Sequence, residues 1–274
     1  MKLREVLRNL GRDLKDTSDS PFLESELFLS VHLGIKKEDI YFMENIEVQE
    51  DVILQAKEFA KKRNNGYPFF YIYGKREFFG INFKVCQGVF IPRPETEVLV
   101  EYALDCIKGK EVQILDIGVG SGCILLSFLH ESKGSRGVGI DISQLACNTT
   151  IENAKNLGLS ERVEVFVSDL RGFTTLSKFD LVVSNPPYVK RKNLLSLKFE
   201  PREALDGGED GFDLYPALVK RSFELLHPDG IAIFEIDSDM GERALRLMEL
   251  NGFKDVEVIR DLANMNRFIK GVRS

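Results

Sequence analysis

The sequence predicts an α/β protein in which a mostly parallel sheet follows a small helical bundle and a β-hairpin. Apolar residues recur at helical spacing through about residue 75. From Val112 onward, strand-like and helix-like segments alternate, which is typical of a parallel sheet with crossover helices. Glycine, aspartate and Asn-Pro motifs stand where successive strands end, and open sheets of this kind bind ligands at the carboxyl ends of their strands.

Length, composition and charge narrow the class of protein. The 274 residues are enough for one large domain or two modest ones, and the net charge of −6 argues against a dedicated nucleic-acid binder. No apolar run approaches the roughly 18 residues that span a bilayer, and Met1–Glu5 lacks a signal-peptide core. Four scattered cysteines and three histidines give no metal-ligand spacing. We therefore expect a cytoplasmic protein without a metal site or a membrane span.

Residues 1–75 are predicted to form a helical substrate-recognition domain. The second of its helices begins at Ser20-Pro21 and ends at Gly34, and the third runs from about Val48 to Arg63. The apolar stripes of the three helices, which we expect to be core, are Leu3, Val6, Leu7, Leu10 and Leu14, then Leu23, Leu27 and Val31, then Val52, Ala56, Phe59 and Ala60.

Residues 76–90 are predicted to be a β-hairpin linker, and residues 91–274 the catalytic domain. Ile81, Phe83 and Val85 alternate after Gly80, as in a short strand pair. In the following segment, Ile91–Glu97, two prolines bracket Arg93 before a helical pattern begins; alone, it could be a linker that ends in a helix cap. The seven strands that we predict beyond it span residues 112–117, 137–141, 163–168, 179–184, 230–236, 254–260 and 267–272.

Three successive strand ends carry the pattern of a site for an adenosine-bearing ligand. The first ends in the Gly-x-Gly-x-Gly turn Gly118–Gly122, whose glycines let the backbone approach a ligand closely. The second ends in Asp141, about twenty residues on, a spacing that suits a carboxylate on ribose hydroxyls. The third ends in Asp169, which can accept from an adenine amino group. A structural turn and two helix N-caps are the alternative.

The fourth strand, Phe179–Ser184, is Val-rich like a buried parallel strand, and Asn185–Tyr188 (Asn-Pro-Pro-Tyr) follows it. The two prolines stiffen this turn, so that the side-chain oxygen of Asn185 and the carbonyl of Pro186 can accept both N–H bonds of one planar NH2 group. Tyr188 can lay its ring against the group that carries this NH2. Beside an adenosine ligand, such a turn suggests S-adenosylmethionine and methyl transfer to nitrogen; a simple strand-ending loop is the alternative.

The chain resembles the HemK-type glutamine N5-methyltransferases that modify peptide chain release factors. The resemblance covers nearly the whole chain, and its segments are Ile91–Glu97, Leu115–Gly122, Asp180–Tyr188 and Phe199–Gly208. It implies a Rossmann-like methyltransferase domain with a seven-stranded, mostly parallel sheet, S-adenosylmethionine as cofactor, and as target the glutamine of the release factors' Gly-Gly-Gln loop. Residues 237–240 depart from the Glu-Ile-Gly pattern that is frequent in similar proteins, and they receive no role. Val119, where threonine is frequent, is expected to act through its backbone.

These observations predict three groups of site residues. The expected catalytic residues are Asn185, Pro186 and Tyr188. The expected cofactor-binding residues are Gly118, Val119, Gly120, Ser121, Gly122, Asp141, Ile142, Asp169, Leu170 and Asn185. The expected substrate-binding residues are Asn185, Pro186, Pro187, Tyr188, Phe90 and Arg93. For Arg93 and Glu95, a structural salt bridge is the alternative to a place in the substrate pocket.

Two rival functions remain at this point. A DNA amino-methyltransferase, acting on adenine N6 or cytosine N4, needs the same NH2 clamp for a flipped base. The basic cluster Lys190–Lys192 with Lys198 favours it, although such clusters are usually solvated; the acidic net charge and the lack of a base-reading domain argue against it. The second rival is a non-catalytic adenosine-binding module, which the intact Asn185–Tyr188 motif disfavours. We expect a monomer that acts on release factors and has no nucleic-acid substrate.

Overall fold

The structure, a computed structural model, describes residues 1–261 and 263–274. These residues form two compact units, Met1–Lys75 and Arg76–Ser274. None of the described helices combines the length and the apolar character that crossing a bilayer requires.

The first unit is a bundle of helices around one apolar core. Its helices are α1 (Leu3–Asp13), α2 (Pro21–Leu33), α3 (Glu50–Asn64) and the short α4 (Phe69–Tyr73), with a 3-10 turn at Lys37–Asp39. Helix α2 ends at Gly34, which takes the left-handed conformation (φ 64°) that commonly terminates helices. The predicted stripes of α1 and α3 are buried, which confirms that these faces form the core.

The predicted core stripe of α2 was wrong. Leu23 and Val31 are 44% and 54% exposed, and Leu27 is only partly buried. The buried face instead carries Phe28 and Leu29 together with the two serines Ser25 and Ser30. Each serine hydroxyl donates to a carbonyl of its own helix, Ser25 to Pro21 over 2.6 Å and Ser30 to Leu27 over 2.8 Å. Because these hydroxyls form hydrogen bonds within the helix, the serines can be buried. Their polar side chains interrupt the apolar pattern, so the sequence did not indicate this face as the buried one.

The second unit contains the predicted hairpin and a large sheet. The hairpin strands are β1 (Lys75–Phe78) and β2 (Ile81–Lys84), and Phe78 and Phe83 are buried in a core of the second unit. Helix α5 (Glu97–Ile107) follows a 3-10 turn at Pro94–Thr96. The later helices are α6 (Cys123–Glu131), α7 (Gln144–Asn156), α8 (Tyr215–Leu225) and α9 (Gly241–Leu250), with 3-10 turns at Ser160–Arg162, Arg191–Leu197 and Arg202–Ala204.

The large sheet has seven strands within the described residues, and it confirms the predicted Rossmann-like fold. The strands are β3 (Gln113–Ile117), β4 (Arg136–Asp141), β5 (Val163–Val167), β6 (Phe179–Ser184), β7 (Leu226–Glu235), β8 (Phe253–Arg260) and β9 (Asn266–Arg273). Their order is β5-β4-β3-β6-β7-β9-β8. The pairs from β5 through β7 are parallel, and β9 is antiparallel to both neighbours. Apolar cores cover both faces.

Strand β7 begins earlier than the sequence predicted. It starts at Leu226 rather than near residue 230, and its pairing with β6 shifts register between Phe179 and Leu181. Asp229, in the middle of a Pro-Asp-Gly sequence that signals a turn, has a positive φ of 62°. The Pro-Asp-Gly sequence therefore produces an irregularity within β7 and does not end the strand.

The chain order reverses between β3 and β6. From β3 the chain moves outward through β4 and β5, and it then returns to the other side of β3 to place β6. Crevices at such switch points, outside the carboxyl ends of the strands, are where α/β sheets bind ligands. The glycine turn after β3 and the Asn-Pro-Pro-Tyr turn after β6 thus leave adjacent strands at the same edge.

Candidate active site

One cavity of about 540 Å³ lies at the carboxyl ends of β3, β4, β5 and β6. It collects nearly all of the predicted site residues. The lining residues among them are Phe90, Arg93, Gly118, Val119, Gly120, Ser121, Asp141, Ile142, Asp169, Leu170, Asn185, Pro186, Pro187 and Tyr188. Gly122 is the exception, because it lies behind the turn, where an added Cβ would come within 2.8 Å of Thr150 and 2.9 Å of Leu126.

The glycine turn is held open by hydrogen bonds to the strand beside it. The Gly118 and Val119 amides both donate to the Ile140 carbonyl, over 2.8 and 3.0 Å. Gly118 has φ 79°, and an added Cβ there would meet no protein atom within 4 Å. The space beside the Gly118 backbone is therefore open, and a side chain at this position would occupy it. Val119 also accepts from the Gly122 amide through its carbonyl, so both of its backbone groups are engaged within the turn.

The two aspartates lie at the predicted strand ends, in different environments. Asp141 accepts from the Gly120 amide (3.0 Å) and from the Ser143 amide (2.9 Å), and so it ties the glycine turn to the start of α7. Burial raises the pKa of Asp141, and these amide hydrogen bonds oppose the rise. Asp169 is exposed and accepts from the Arg171 amide over 2.7 Å. Ser143, whose hydroxyl accepts from the Ala146 amide, is the N-cap of α7, so Asp141 is not, and no described helix begins at Asp169.

The Asn185–Tyr188 turn presents two hydrogen-bond acceptors to the cavity. The Ser184 hydroxyl anchors the end of β6 by donating to the Ile117 carbonyl of β3 over 2.7 Å. Asn185 Nδ2 donates to Thr96 Oγ1 over 3.3 Å. No described residue donates to Asn185 Oδ1 or to the Pro186 carbonyl. A ligand with two N–H bonds on one nitrogen is the complement of this pair.

Tyr188 is fixed by a buried carboxylate. Its hydroxyl donates to Glu235 Oε1 over 2.8 Å. Burial and the negative charge of Glu235 raise the pKa of Tyr188 far above its ordinary value, so this hydroxyl stays protonated. Tyr188 therefore contributes an apolar ring to the cavity wall, and its phenol does not act as a base.

Arg93 forms an ion pair with Glu200 across the cavity rim. Arg93 Nη2 lies 2.5 Å from Glu200 Oε1, and the Ile91 amide donates to Glu200 Oε2 over 3.2 Å. The guanidinium also lies over the Phe90 ring, 4.8 Å from its centroid. Arg93 does form a salt bridge, although its partner is Glu200 and not the neighbouring Glu95, and Arg93 also lies in the wall of the cavity.

Two of the four residues in the basic cluster that favoured a DNA substrate form ion pairs with acidic side chains. Lys190 pairs with Asp239, and Arg191 pairs with Glu209 (2.7 Å) and Asp206 (3.3 Å). Asp239 belongs to the segment that departs from the family pattern, and its contact is with the protein itself.

Sequence reasoning gave no role to three polar residues of the site. Thr96, Glu200 and Glu235 appeared only inside quoted motifs, although each holds a predicted site residue in place. Their partners lie 89, 107 and 47 positions away along the chain, so no local spacing joins them. The signal that was available is that Thr96 and Glu200 lie within segments that carry the family resemblance.

Comparison with known proteins agrees with this geometry. The family model described as "Methyltransferase small domain" matches residues 83–198, and the "PrmC N-terminal domain" matches residues 5–74. The chain is 36% identical to the release factor glutamine methyltransferase of Clostridium acetobutylicum, with 100% of this chain and 99% of that one covered. It is 37% identical to the enzyme of the same name from Clostridium botulinum, with 98% and 99% covered.

A solved structure supports the fold independently. The 16S rRNA N2 G1207 methyltransferase of T. thermophilus, in complex with AdoMet and guanosine, superposes with a TM-score of 0.56 at 17% identity, covering 73% of this chain and 50% of that one. This likeness confirms a methyltransferase fold.

The cofactor predicted from the sequence, S-adenosylmethionine, is confirmed by these comparisons, and the cavity fits it. Gly118 leaves free space beside the backbone, Asp141 offers a carboxylate, and Ile142 and Leu170 add apolar side chains to the lining. The sequence motifs, the cavity at the switch point and the full-length relatives lead to one conclusion. This chain is an S-adenosylmethionine-dependent enzyme that belongs to the release factor glutamine methyltransferase family.

Proposed function

We propose that this protein methylates the side-chain amide nitrogen (N5) of the glutamine in the Gly-Gly-Gln loop of peptide chain release factors. The observation that carries the proposal is a pair of acceptors to which no residue that the structure describes donates, Asn185 Oδ1 and the Pro186 carbonyl, at the wall of the cofactor cavity. A primary amide donates two N–H bonds from one planar nitrogen and so matches this pair. Relatives of nearly equal length carry the name release factor glutamine methyltransferase.

Asn185 Oδ1 and the Pro186 carbonyl, which together form the acceptor clamp, would act mainly by orienting the substrate amide. A glutamine amide is a poor nucleophile, because its nitrogen lone pair is delocalised into the carbonyl. S-adenosylmethionine supplies an electrophilic methyl group on a positively charged sulfur. Asn185 and Pro186 hold the nitrogen so that it faces this methyl group in line, which replaces a bimolecular encounter with a fixed geometry. Their oxygens would also stabilise the positive charge that develops on nitrogen as the N–C bond forms. The bond between the sulfur and the methyl carbon would break, which leaves S-adenosylhomocysteine, and the nitrogen would then lose one proton to water.

The remaining cavity residues exclude water and bind the cofactor. Tyr188, Pro187 and Phe90 pack against the amide, and the aromatic rings attract the sulfonium charge. Arg93 shapes the same wall through its pair with Glu200. Residues Gly118–Ser121 would approach the cofactor with their backbone, Asp141 would accept from the ribose hydroxyls, and Asp169 would accept from the adenine amino group beside Ile142 and Leu170.

The domain roles follow from the same proposal. Residues 1–75 recognise the release factor, residues 76–90 link this module to the catalytic domain, and residues 91–274 carry out the transfer. The bundle has its own apolar core, as a docking module requires. A substrate that acts in translation places the enzyme in the cytoplasm, and we expect it to act there as a monomer.

The DNA methyltransferase reading receives less support from the structure than from the sequence. A DNA-binding surface needs unpaired lysine and arginine side chains to neutralise phosphates. Lys190 and Arg191, two of the four residues of the basic cluster, are already paired with Asp239, Asp206 and Glu209.

The test is methyl transfer from labelled S-adenosylmethionine, offered in parallel to a purified release factor and to duplex DNA, with mass mapping of the product. We expect one methyl group on the Gly-Gly-Gln glutamine. A release factor in which this glutamine is replaced by alanine is the matched control and should remain unlabelled. Label on DNA, or on another residue of the release factor, would overturn the proposal.

A further inference from the structure

A hydrogen-bonded network lies directly behind the clamp and connects it to Glu235. This carboxylate ends β7 and is 1% exposed. Its Oε2 accepts from the Thr96 hydroxyl over 2.7 Å, and its Oε1 accepts from the Tyr188 hydroxyl over 2.8 Å. Thr96 in turn accepts from Asn185 Nδ2. The chain of donors therefore runs from Asn185 to Thr96 to Glu235.

The network has a direction because a carboxylate can only accept. A threonine hydroxyl has a single hydrogen, and in this structure it is donated to Glu235. The Thr96 oxygen can then only accept from its other neighbour, which must be the NH2 end of the Asn185 amide. Asn185 Oδ1, the opposite end, is thereby left for the ligand.

This direction matters because the two ends of an asparagine amide have nearly the same shape. Packing alone does not distinguish them, so the hydrogen-bond network must. With the amide reversed, the NH2 end of Asn185 would meet the NH2 group of the substrate, donor against donor. The clamp would then have one acceptor, the Pro186 carbonyl, in place of two.

Glu235 acts as an acceptor at both of its carboxylate oxygens, because each of them takes a hydroxyl hydrogen, from Thr96 and from Tyr188. Burial raises the pKa of Glu235 above its ordinary value, and these hydrogen bonds together with the positive charge of Arg267 oppose the rise. Arg267 itself pairs with Asp261 over 2.9 Å. The Tyr215 hydroxyl donates to the Glu235 backbone carbonyl, which fixes the end of the strand.

We propose that Glu235 is a positioning residue which, through Thr96, fixes the Asn185 amide with its oxygen toward the substrate. Glu235 does not line the cavity and so acts without touching the substrate. The inference rests on the proposed function and extends it: the clamp accepts nitrogen groups with two N–H bonds because a buried carboxylate two hydrogen bonds away sets its polarity.

The test uses three variants with release factor as substrate. E235Q keeps the shape of the side chain and its ability to hydrogen bond, but its amide can donate to Thr96 and so reverse the chain of donors. T96V keeps the shape and removes the hydroxyl, whereas T96S retains the hydroxyl. We expect kcat to fall about tenfold or more in E235Q and T96V, and to stay within about twofold of wild type in T96S.

Two further measurements separate positioning from a structural role. We expect the affinity for S-adenosylhomocysteine and the Tm to be the same in T96S and E235Q as in wild type, so that the loss appears in kcat. Wild-type kcat in a folded E235Q would overturn the inference, as would equal losses in T96S and T96V. If the wild-type protein does not methylate the release factor, it is the proposed function that fails.

Discussion

Replacement of Arg93 tests whether its ion pair with Glu200 fastens one wall of the cavity. The Glu200 side chain is 7% exposed, and that of Arg93 is 33% exposed. R93M leaves a buried carboxylate to which, among the described residues, only the Ile91 amide still donates. E200Q instead leaves a guanidinium that reaches water. The two halves of the pair should therefore differ in what their removal costs.

The exposures give the expected size of this difference. Removal of one partner from a fully buried ion pair costs about 3 to 5 kcal/mol. Because a third of Arg93 is exposed to solvent, we expect about 2 kcal/mol for R93M and about 1 kcal/mol or less for E200Q. The double variant R93M/E200Q leaves no buried charge without its partner, so it should be more stable than R93M alone.

Amide hydrogen exchange measures this cost where it arises. The Val189 amide donates to Leu205 and the Gly207 amide to Val189, over 2.9 and 3.0 Å, and these bonds tie the segment after Glu200 to the clamp turn. If the free energy of local opening falls by about 2 kcal/mol, these amides should exchange about 30-fold faster in R93M than in wild type. R246M, which removes an exposed pair with Glu242, is the control and should change exchange little. Unchanged exchange in R93M together with lost turnover would refute the reasoning and would make Arg93 a substrate contact.

Three other variants test the site and its surroundings. N185A should lower kcat about 100-fold or more while the affinity for S-adenosylhomocysteine stays near wild type, measured by labelled methyl transfer and calorimetry; unchanged turnover would exclude the clamp. G118A places an alanine at φ 79°, which costs about 1 to 2 kcal/mol of backbone strain, and it adds a methyl group beside the cavity. Cofactor affinity, measured by calorimetry, should therefore fall about tenfold or more. Unchanged affinity would contradict the role of this turn. Burial raises the pKa of Asp116 from 3.8 to about 7, so the folded state holds this proton more tightly, and the free energy of unfolding falls as pH rises between these values. D116N lacks this loss, and its stability relative to wild type should rise by about 2 to 3 kcal/mol between pH 5 and 7.5 in urea unfolding; a constant difference would contradict the raised pKa.

Local patterns predicted most of the fold. The strands of the second unit are short apolar runs with clear turn signals, and all of the predicted ones are present. The errors occurred where a local signal competed with packing. The serines on the buried face of α2 satisfy their own hydroxyls, and the Pro228-Asp229-Gly230 sequence bends β7 without ending it.

The site was predictable to the extent that its residues follow strand ends. Gly118 and Asn185 come directly after a strand and Asp141 is the last residue of one, so the topology alone brings them to one cavity. The groups that orient them were not predictable in this way. Thr96 precedes a helix far along the chain from Asn185, and Glu235 ends a different strand, so their contacts depend on tertiary packing.

The hydrogen bond from the Ser184 hydroxyl to the Ile117 carbonyl bears on which length of substrate side chain the active site accepts. It joins the ends of β6 and β3, so the Asn185–Tyr188 turn and the Gly118–Gly122 turn leave strand ends that are hydrogen-bonded to each other. Neighbouring strands keep a separation of about 4.8 Å, and the clamp cannot move forward to meet a shorter side chain. An asparagine in place of the target glutamine would stop about 1.5 Å short, a misplacement that costs about 100-fold in rate. Selection of glutamine over asparagine can thus arise from the distance between two strands, without a contact that reads the extra methylene.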